Sequence, residues 1–504
     1  MKKLNDMAKN IREHQIMLSK LNWTNYTTGF DFGIQQAQKD LIEYYKDKNN
    51  YNYILKKEKE VSDELNKRKV KIMKDMFEKY HLSDELNDLR LEIRKLTTDL
   101  SKILNNFRYE IDDKKVTSVD IYQILTTNED EELRKKAYMS RKQINKPLVE
   151  RGFIELLNLR KQFAEKSGYK DFVEYKLDEQ ELSTEIFNNW INETHEILPA
   201  MKDIRKKYAK KYLNKAELKP WDEAYLNGKI SPVLKENINM LDYYEILSKF
   251  FNKFGIDLEQ YNITYDIFSR NNKSEWGYNF PIEYGEDSRI LANVKNMYNE
   301  FGVLLHETGH GIHSFKIDPE ERILNFGISG IIFEGIANLF GSFLYDEFFY
   351  KDIIERDIEK INNQMRNLKK WNKINNFGRI PDILFDQRLY LNDVKNLDDI
   401  NNLYWNTYDE VLQEGPYAKQ PIWGYRIHHT THPIYLHNYL MGDVTYKMFK
   451  SVFNNKNNID RISEKPKKFI EFLERKVIEP SGKYPYEKLF KHISQEKFSL
   501  KYLK

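Results

Sequence analysis

The sequence predicts a mostly α-helical protein, and two observations carry that prediction. From about Phe32 to Glu110, apolar residues recur at intervals of three and four among lysines and glutamates, which is the spacing of an amphipathic helix. No glycine occurs between Gly33 and Gly152, as expected of long helices. We therefore expect this region to form a helical scaffold with solvated outer faces, because no heptad pattern persists that would favour a coiled coil.

The next elements follow from local signals. Helical spacing continues through Leu157 to Tyr175 and is interrupted at Ser167 and Gly168, where one helix is expected to end and another to begin. Strand-like sequence is scarce, and the best candidate is RILANV, Arg289 to Val294, just ahead of a helix predicted from near Asn299. Loops between helices are predicted at clusters of Pro, Gly and Asn, which lie near Trp221, Asn271 and Gly415.

Composition and charge exclude several kinds of protein. The 504 residues include 81 Lys and Arg and 78 Asp and Glu, with both signs interspersed, so no nucleic-acid-binding surface is predicted. The 34 Tyr, 29 Phe and 7 Trp are too many for a disordered chain. Cysteine is absent, which excludes disulfides and thiolate chemistry and favours a reducing compartment. Any metal must therefore be bound by His, Asp or Glu.

The chain is expected to be cytoplasmic and not to bind membranes. Its start, MKKLNDMAKNIREHQ, lacks the unbroken apolar stretch of a signal peptide. Residues Gly327 to Tyr345 are nearly long and apolar enough to span a bilayer, but Glu334 and Asn338 lie near the middle of this stretch. Because an acid at bilayer depth costs several kcal/mol, we predict a buried helix that carries one special carboxylate.

Seven of the 11 histidines lie in two short segments, and the first contains an H-E-x-x-H motif. In FGVLLHETGHGIH, His306 and His310 would lie one turn apart on the same helix face, so both imidazoles could bind one zinc ion. Glu307 neighbours them and is suited to act as the base on the attacking water rather than as a ligand. The alternative is a pair of core histidines that bind nothing.

Glu334 is the predicted third ligand. A metzincin would need Gly three and His six residues after the second motif histidine, but those positions hold a histidine and a lysine. Glu334 is the one acidic residue between Gly327 and Tyr345, and a buried carboxylate needs a positive partner. A basic side chain could be that partner, but zinc is the strongest one available. We predict one Zn2+ per chain, bound by His306, His310 and Glu334.

These features resemble the thimet oligopeptidase and oligopeptidase F family of zinc peptidases, and the related angiotensin-converting-enzyme family. RKQFAEKSGYKDFVEYKL (160–177) resembles the family's helical segment before the substrate channel, and KPWDEAY (219–225) resembles its Pro-Trp-Asp stretch. RILANVKNMYNEFGVLLHETGH has the family's order of strand, turn and helix. The resemblance covers roughly 160–443 and implies a two-lobed helical clamshell, with a small β-sheet beside the active-site helix and a deep substrate channel.

The second histidine segment, WGYRIHHTTHPIYLHNYLMGD, fits the same family. Its members place a His ten residues before a Tyr and thirteen before a Gly, and His429, Tyr439 and Gly442 have this spacing. The resemblance implies that His429 and Tyr439 bind the oxyanion. Pro433 suits the first turn of a helix, which would place Tyr435 and Tyr439 on one face, with Tyr435 left open between substrate contact and core packing. The remaining histidines of the segment, His428, His432 and His437, are expected to be solvated or packed.

The resemblance implies a peptidase that hydrolyses internal bonds of short oligopeptides. An edge strand at Leu291 to Val294 is expected to pair with the peptide backbone, with contacts from Leu291 and Asn293. Residues 1–200 are expected to form part of the channel walls and residues 201–504 the zinc-binding catalytic region of one integrated unit.

Two alternatives stay open, an exopeptidase, which could be an aminopeptidase or a dipeptidyl carboxypeptidase, and a protein without catalytic activity. A dipeptidyl carboxypeptidase of the converting-enzyme type would bind the substrate's terminal carboxylate through a Lys two residues before the oxyanion His and a Tyr seven after it. Ile427 and Leu436 occupy these positions and cannot donate a hydrogen bond, which favours internal cleavage. A non-catalytic peptide-binding protein of the same fold is the second alternative. Relatives of the converting-enzyme type also have an acidic residue where this chain has Asn338, so the sequence does not assign the group that orients the zinc ligands, nor does it determine the oligomeric state.

Overall fold

The computed structural model describes residues 1–274 and 277–504, and this part of the chain is mostly helical, as predicted. It divides into two compact units, each assembled from separate stretches of sequence. The first unit contains Met1–Leu82, Glu236–Ile361 and Met441–Phe498, and the second contains Ser83–Lys235, Asn362–Leu440 and Ser499–Lys504. The functional division at residue 200 stays a prediction. Among the described residues, no helix combines the length and the apolarity needed to cross a membrane.

Four helices open the first unit, namely Lys2–Thr28, Ile34–Tyr45, Lys48–Glu60 and Glu64–Glu78. The predicted three- and four-residue spacing is visible in their core, where Val70, Met73 and Phe77 are buried on one face of the fourth helix. Asp63 accepts a hydrogen bond from the backbone N–H of Asn66 at 2.9 Å and so caps the fourth helix. The predicted helical scaffold is therefore present.

The rest of the first unit is also mainly helical. Its α-helices are Tyr243–Lys253, Glu300–Lys316, Arg322–Phe326, Gly330–Gly341, Pro466–Leu473, Glu479–Ser481 and Tyr486–Ser494. Short 3-10 segments are Met240–Asp242, Leu258–Gln260, Ser342–Tyr345 and Ile462–Glu464, and π-helical turns are Phe349–Ile353 and Glu474–Ile478. Two further helices cross the sequence boundaries of the units, Glu359–Gly378 and His437–Asn457.

The second unit is built from helices of similar kinds. Its α-helices are Asp84–Asn106, Ser118–Thr127, Glu131–Ser140, Asn145–Glu150, Phe153–Lys166, Phe172–Asp178, Trp190–Leu213, Glu223–Ile230, Ile380–Leu391, Leu397–Leu412 and His428–Thr431. Its 3-10 segments are Arg141–Ile144, Thr184–Phe187, Pro220–Asp222, Pro232–Lys235, Trp423–Tyr425 and Leu500–Leu503. The break predicted at Ser167 and Gly168 is present, because Gly168 adopts a φ of +88° between two helices.

Five short strands occur in the described chain, Tyr109–Ile111 (β1), Lys114–Val116 (β2), Ile263–Phe268 (β3), Tyr278–Glu283 (β4) and Asp287–Val294 (β5). Strands β1 and β2 form an antiparallel hairpin in the second unit. The turn between them is made by Asp112 and Asp113, which both have positive φ, as a tight hairpin turn requires. The predicted helical stretch therefore ends at Asn106 rather than near Glu110.

Strand β5, which contains the predicted strand Arg289 to Val294, lies in the middle of the three-stranded sheet β3-β5-β4. Leu291 pairs with Asp266 on the parallel side and with Tyr278 on the antiparallel side, and its side chain is fully buried. The prediction that this is an edge strand is therefore wrong, because two strands that the sequence hardly signals flank it. The predicted contacts of Leu291 and Asn293 with substrate depended on an edge strand and so are no longer supported. The Asn293 amide instead donates to the Ser274 carbonyl at 2.8 Å.

Candidate active site

The H-E-x-x-H motif lies on the helix Glu300–Lys316, which we call the motif helix. Phe301 and Leu304 are fully buried and fix the face that points into the core of the first unit. The Glu300 carboxylate accepts the backbone N–H of Met297 at 2.9 Å and the Tyr243 hydroxyl at 2.5 Å, which ties the start of the helix to its surroundings. The motif side chains are thus presented by a rigid element.

Glycines allow the motif helix to pack closely on the helix Gly330–Gly341, which we call the glutamate helix. A Cβ atom at Gly309 would lie only 2.8 Å from Phe340 Cδ2, and a Cβ atom at Gly341 would lie 3.3 Å from His306 Cβ. Neither position has room for a larger residue without movement of one helix. This close approach brings the carboxylate of the glutamate helix to the two motif histidines.

His306, His310 and Glu334, the predicted zinc ligands, lie close together. The Nε2 atom of His306 lies 3.7 Å from Glu334 Oε2, and the Nε2 atom of His310 lies 3.8 Å from Glu334 Oε1. Tetrahedral zinc with bonds of about 2.0 to 2.2 Å separates its ligand atoms by about 3.3 to 3.6 Å, so small side-chain movements would suffice. One ligand atom of Glu307 lies within 4.8 Å of those of both histidines. The donor set and its spacing fit a zinc ion.

The two histidines are in the protonation state that a metal requires. Burial lowers the pKa of His306 to about 4, against a smaller opposing effect of its hydrogen bond to Asn338. Burial, followed by the neighbouring His306 and His313, lowers the pKa of His310 well below its ordinary value. Both rings are therefore neutral near pH 7 and keep a lone pair for a cation.

Both carboxylates lie where burial disfavours their charged form. Burial and then the Glu334 carboxylate raise the pKa of Glu307 to about 8, although the backbone N–H of Asn279 opposes the shift. Burial and then Asp443 raise the pKa of Glu334. A divalent cation would reverse this balance, because it favours the ionised form of every carboxylate around it. The chemistry of the donor set thus also fits a metal site.

The structure identifies a group behind the histidine ligand that the sequence did not assign. Asn338 hydrogen-bonds to the His306 ring, and its Nδ2 donates to Asp443 Oδ1 at 3.2 Å. Asp443 lies next to Gly442, where a Cβ atom would lie 3.1 Å from Glu334 Cβ. The glycine of the family spacing therefore permits close packing against the glutamate helix, and the acid after it orients Asn338.

His313, the third histidine of the first segment, is a core residue. Its ring is fully buried and packs on Phe333 at 4.4 Å, and neither ring nitrogen has a hydrogen-bond partner in the described chain. Burial lowers the pKa of His313 to about 3, so the ring is neutral.

His429 belongs to the second unit and is completely buried. Its Nδ1 atom lies 3.0 Å from Asp386 Oδ1, while its Nε2 atom has no hydrogen-bond partner among the described residues. Asp386 is a functional candidate that sequence reasoning missed. It lies 43 residues earlier, on the helix Ile380–Leu391, and only the fold joins it to His429.

Tyr435 and Tyr439 also lie in the second unit, and their rings meet edge to face at 5.6 Å. The Tyr439 hydroxyl lies 3.5 Å from His428 Nε2. His428, which was expected to be solvated or packed, therefore contacts this tyrosine. The helix predicted to begin at Pro433 begins instead at His437, because Ile434 has a φ of +55° and interrupts it. Tyr435 therefore precedes the helix rather than sharing a helical face with Tyr439.

The chain is similar to known peptidases in sequence and in fold. The sequence model of peptidase family M3 matches residues 124–465. No curated protein matches the chain by sequence. Among solved structures with the same fold, an oligoendopeptidase F has a TM-score of 0.72 and 13% sequence identity, and the match covers 98% of this chain and 89% of that chain. PZ peptidase A with an inhibitor has a TM-score of 0.68 and 14% identity, with 98% of this chain and 93% of that chain covered. An M32 carboxypeptidase from Deinococcus radiodurans R1 has a TM-score of 0.67 and 12% identity, with 100% of this chain and 97% of that chain covered.

Proposed function

The chain belongs to peptidase family M3, and from this premise we propose that it is a zinc-dependent oligoendopeptidase that cuts internal bonds of short peptides. One observation carries the proposal. Two neutral histidines and a carboxylate converge at 3.7 and 3.8 Å, with Glu307 buried beside them. Four such groups on two closely packed helices are what metal-assisted hydrolysis needs.

His306, His310 and Glu334 would hold the zinc ion. Bound there, zinc supplies a Lewis acid that lowers the pKa of a water molecule toward neutrality and polarises the scissile carbonyl. Asn338 fixes the orientation of the His306 ring, and Asp443 in turn fixes Asn338.

Glu307 is assigned as the proton acceptor. It is 7% exposed and lies beside the ligand cluster, and the backbone N–H of Asn279 hydrogen-bonds to its carboxylate. From this position Glu307 takes a proton from the attacking water and delivers it to the leaving amine. A protein that only binds peptides has no need of such a base, which argues against the non-catalytic alternative.

His429 and Tyr439 are assigned as donors to the oxyanion that forms as water attacks. The assignment rests on the spacing of His429, Tyr439 and Gly442 in the sequence. Donors aimed at a developing oxyanion contribute about 3 to 4 kcal/mol each.

Internal cleavage is favoured over release of C-terminal dipeptides by the groups near His429. Ile427 and Leu436 offer no hydrogen bond to a terminal carboxylate. Arg426, the nearest cation in sequence, already pairs with Asp382 at 2.5 Å, so its charge is compensated. A carboxylate clamp of the converting-enzyme design is therefore not available at these positions.

One peptide of about ten residues, prepared as the free acid and as the C-terminal amide, tests this specificity. We expect similar cleavage rates and the same internal cut by mass spectrometry, because no group is assigned to the terminal carboxylate. A sample treated with a zinc chelator is the control and should not cleave either form. Strict dependence on the free carboxylate with release of a dipeptide would support the carboxypeptidase alternative, and a zinc-loaded protein without any hydrolysis would support the binding protein.

A further inference from the structure

The second unit contains a cavity to which the proposed reaction assigns no role. Its volume is about 270 Å³, and the described residues that line it all belong to this unit. None of the predicted zinc ligands is among them. Two lining residues, Lys202 and Arg379, are exposed and so lie at its mouth. At about 30 Å³ per water molecule, the cavity has room for about nine waters, which suits a small organic molecule better than a single ion.

Tyrosine side chains form much of the cavity wall. The hydroxyls of Tyr138 and Tyr417 satisfy each other at 2.9 Å. Tyr404 is only 7% exposed, and its ring stacks with that of Tyr408 at 6.2 Å. Neither the Tyr404 nor the Tyr408 hydroxyl has a hydrogen-bond partner in the described chain, yet neither oxygen is sealed from solvent. Both hydroxyls therefore open into the cavity, where each can donate and accept.

Two guanidinium groups of the wall are already compensated. Arg426 pairs with Asp382 at 2.5 Å, and Arg205 pairs with Glu223 at 2.6 Å. A bare anion would gain little from cations whose charge a carboxylate balances at such short range. The charged groups that remain for a ligand must therefore be sought elsewhere in the wall.

Glu414 and Lys202 are the lining groups of opposite charge that remain available. Neither forms an ion pair with any residue of the described chain. The Lys202 ammonium lies 3.4 Å from the carbonyl of Gln413, the residue before Glu414, so the two charges are close without neutralising each other. Burial and then the Glu414 carboxylate raise the pKa of Tyr408, which places this phenol near the same carboxylate. The cavity thus offers one anion, one cation and neutral hydroxyls.

We propose that this cavity binds a small zwitterion, namely a dipeptide with a free ammonium and a free carboxylate. Glu414 pairs with the ammonium and Lys202 with the carboxylate, while the hydroxyls of Tyr404 and Tyr408 bind the peptide group between them. An extended dipeptide spans about 7 Å, so it can reach two charges that do not touch each other. Hydrolysis of peptides releases molecules of this class, but the site uses no zinc and does not depend on the proposed function.

Calorimetric titration of the full chain with alanyl-phenylalanine near pH 7 tests the proposal. We expect one saturable site with a Kd of about 1 mM or lower, both in the zinc-loaded and in the zinc-free protein. Lack of saturable binding by the zinc-free protein would overturn the proposal, because the dipeptide would then require the metal site. A protein that proved to have no peptidase activity would still be expected to bind the dipeptide.

Two analogues of the ligand test the recognition of each charge at constant ionic strength. N-acetyl-alanyl-phenylalanine lacks the ammonium, and alanyl-phenylalanine amide lacks the carboxylate. Each should bind at least about 10-fold more weakly than the zwitterion, because one charged group of the wall loses its partner. Equal affinity for the acetylated form would indicate an anion site, and equal affinity for the amide would indicate a cation site; either result would overturn the proposal.

Glu414→Gln keeps the shape of the side chain and removes its charge. Its Kd for the dipeptide should rise at least about 10-fold, whereas its Kd for the acetylated form should equal that of the native protein. Tyr404→Phe removes one hydroxyl and should raise the Kd for the dipeptide about 2- to 10-fold, which keeps the proposal testable if Glu414→Gln does not fold. Native affinity in either variant would overturn the proposal.

Glu410→Gln is the matched control. Glu410 lies on the same helix as Tyr404, pairs with Arg388 at 2.7 Å and does not line the cavity. Because its charge is lost outside the cavity, affinity for the dipeptide should remain at the native value. A rise in Kd equal to that of Glu414→Gln would show that binding follows net charge, and would overturn the proposal.

Discussion

The close packing of the motif helix on the glutamate helix predicts that Gly309→Ala weakens zinc binding. The added Cβ would lie 2.8 Å from Phe340 Cδ2 and 3.2 Å from the Cα of Ala337, against a normal carbon–carbon separation of about 3.5 to 4.0 Å. Phe340 is 1% exposed and its ring packs against Phe251 at 5.2 Å, which restricts its movement. The two helices must therefore move apart by about 0.5 to 1 Å.

This displacement acts directly on the ligand cluster. The present separations of 3.7 and 3.8 Å between the histidine Nε2 atoms and Glu334 would grow to more than about 4.2 Å, which is twice a zinc–ligand bond. Glu334 could then no longer share the ion with His306 and His310 without rearrangement, so we expect zinc affinity to fall at least about 10-fold. Overpacking costs about 1 to 3 kcal/mol, partly offset by about 1 kcal/mol from the higher helix propensity of alanine.

The assay is competition for zinc against a chelator of known affinity, together with calorimetric unfolding of the zinc-free protein. Gly330→Ala is the matched control, because Gly330 opens the same glutamate helix and no atom lies within 4 Å of its added Cβ. That variant should bind zinc normally and be as stable as the native protein or slightly more stable. Native zinc affinity in Gly309→Ala would refute the argument that the helix separation sets the site.

Three further predictions address other residues. Tyr439→Phe should lower kcat about 100- to 1000-fold in steady-state kinetics, with KM and the zinc content by metal analysis nearly unchanged. A loss of zinc in this variant would contradict the oxyanion role of Tyr439. Asn338→Ala should weaken zinc binding about 10- to 100-fold in the same competition assay, because the His306 ring loses its hydrogen bond to Asn338. Unchanged zinc affinity would show that Asn338 does not orient this ligand. Burial lowers the pKa of His313 from its ordinary value of 6.5 to about 3, so the full stability of the folded state is present above pH 6.5 and is lost as the pH falls toward 3. In the zinc-free protein, the free energy of unfolding should therefore fall between pH 7.5 and 5.5. His313→Leu should make this fall smaller by about 1.4 kcal/mol in urea titrations.

Part of the fold and of the site follows from local sequence. The helical scaffold, the break at Gly168 and the motif helix were predictable because apolar spacing and caps are encoded over a few residues. Glu334 could be singled out because a lone acid in an apolar helix needs a special partner. The convergence of Glu334 on His306 and His310 agrees with that reasoning.

The remaining features depend on contacts between distant segments. Asp386 lies 43 residues from His429, and Asp443 lies 105 residues from Asn338, so no local pattern connects either pair. Strand β5 was detected by its apolar residues, but its neighbours β3 and β4 mix polar residues and proline with apolar ones, which hid the central position of β5. Ile434 interrupts a helix because Asp386 and Gln180 impose its backbone conformation, which no helix propensity could have indicated.

Zinc content and peptide hydrolysis should be measured together in the native protein, Glu307→Gln and His310→Ala. We expect close to one zinc per chain in the native protein and in Glu307→Gln. Hydrolysis by Glu307→Gln should be lower by several orders of magnitude because this variant lacks the proton acceptor. His310→Ala should lose both zinc and activity, since it removes a ligand. Near-native turnover in Glu307→Gln would refute the role of Glu307 as proton acceptor, and full activity in a native protein stripped of metal would refute zinc-dependent hydrolysis.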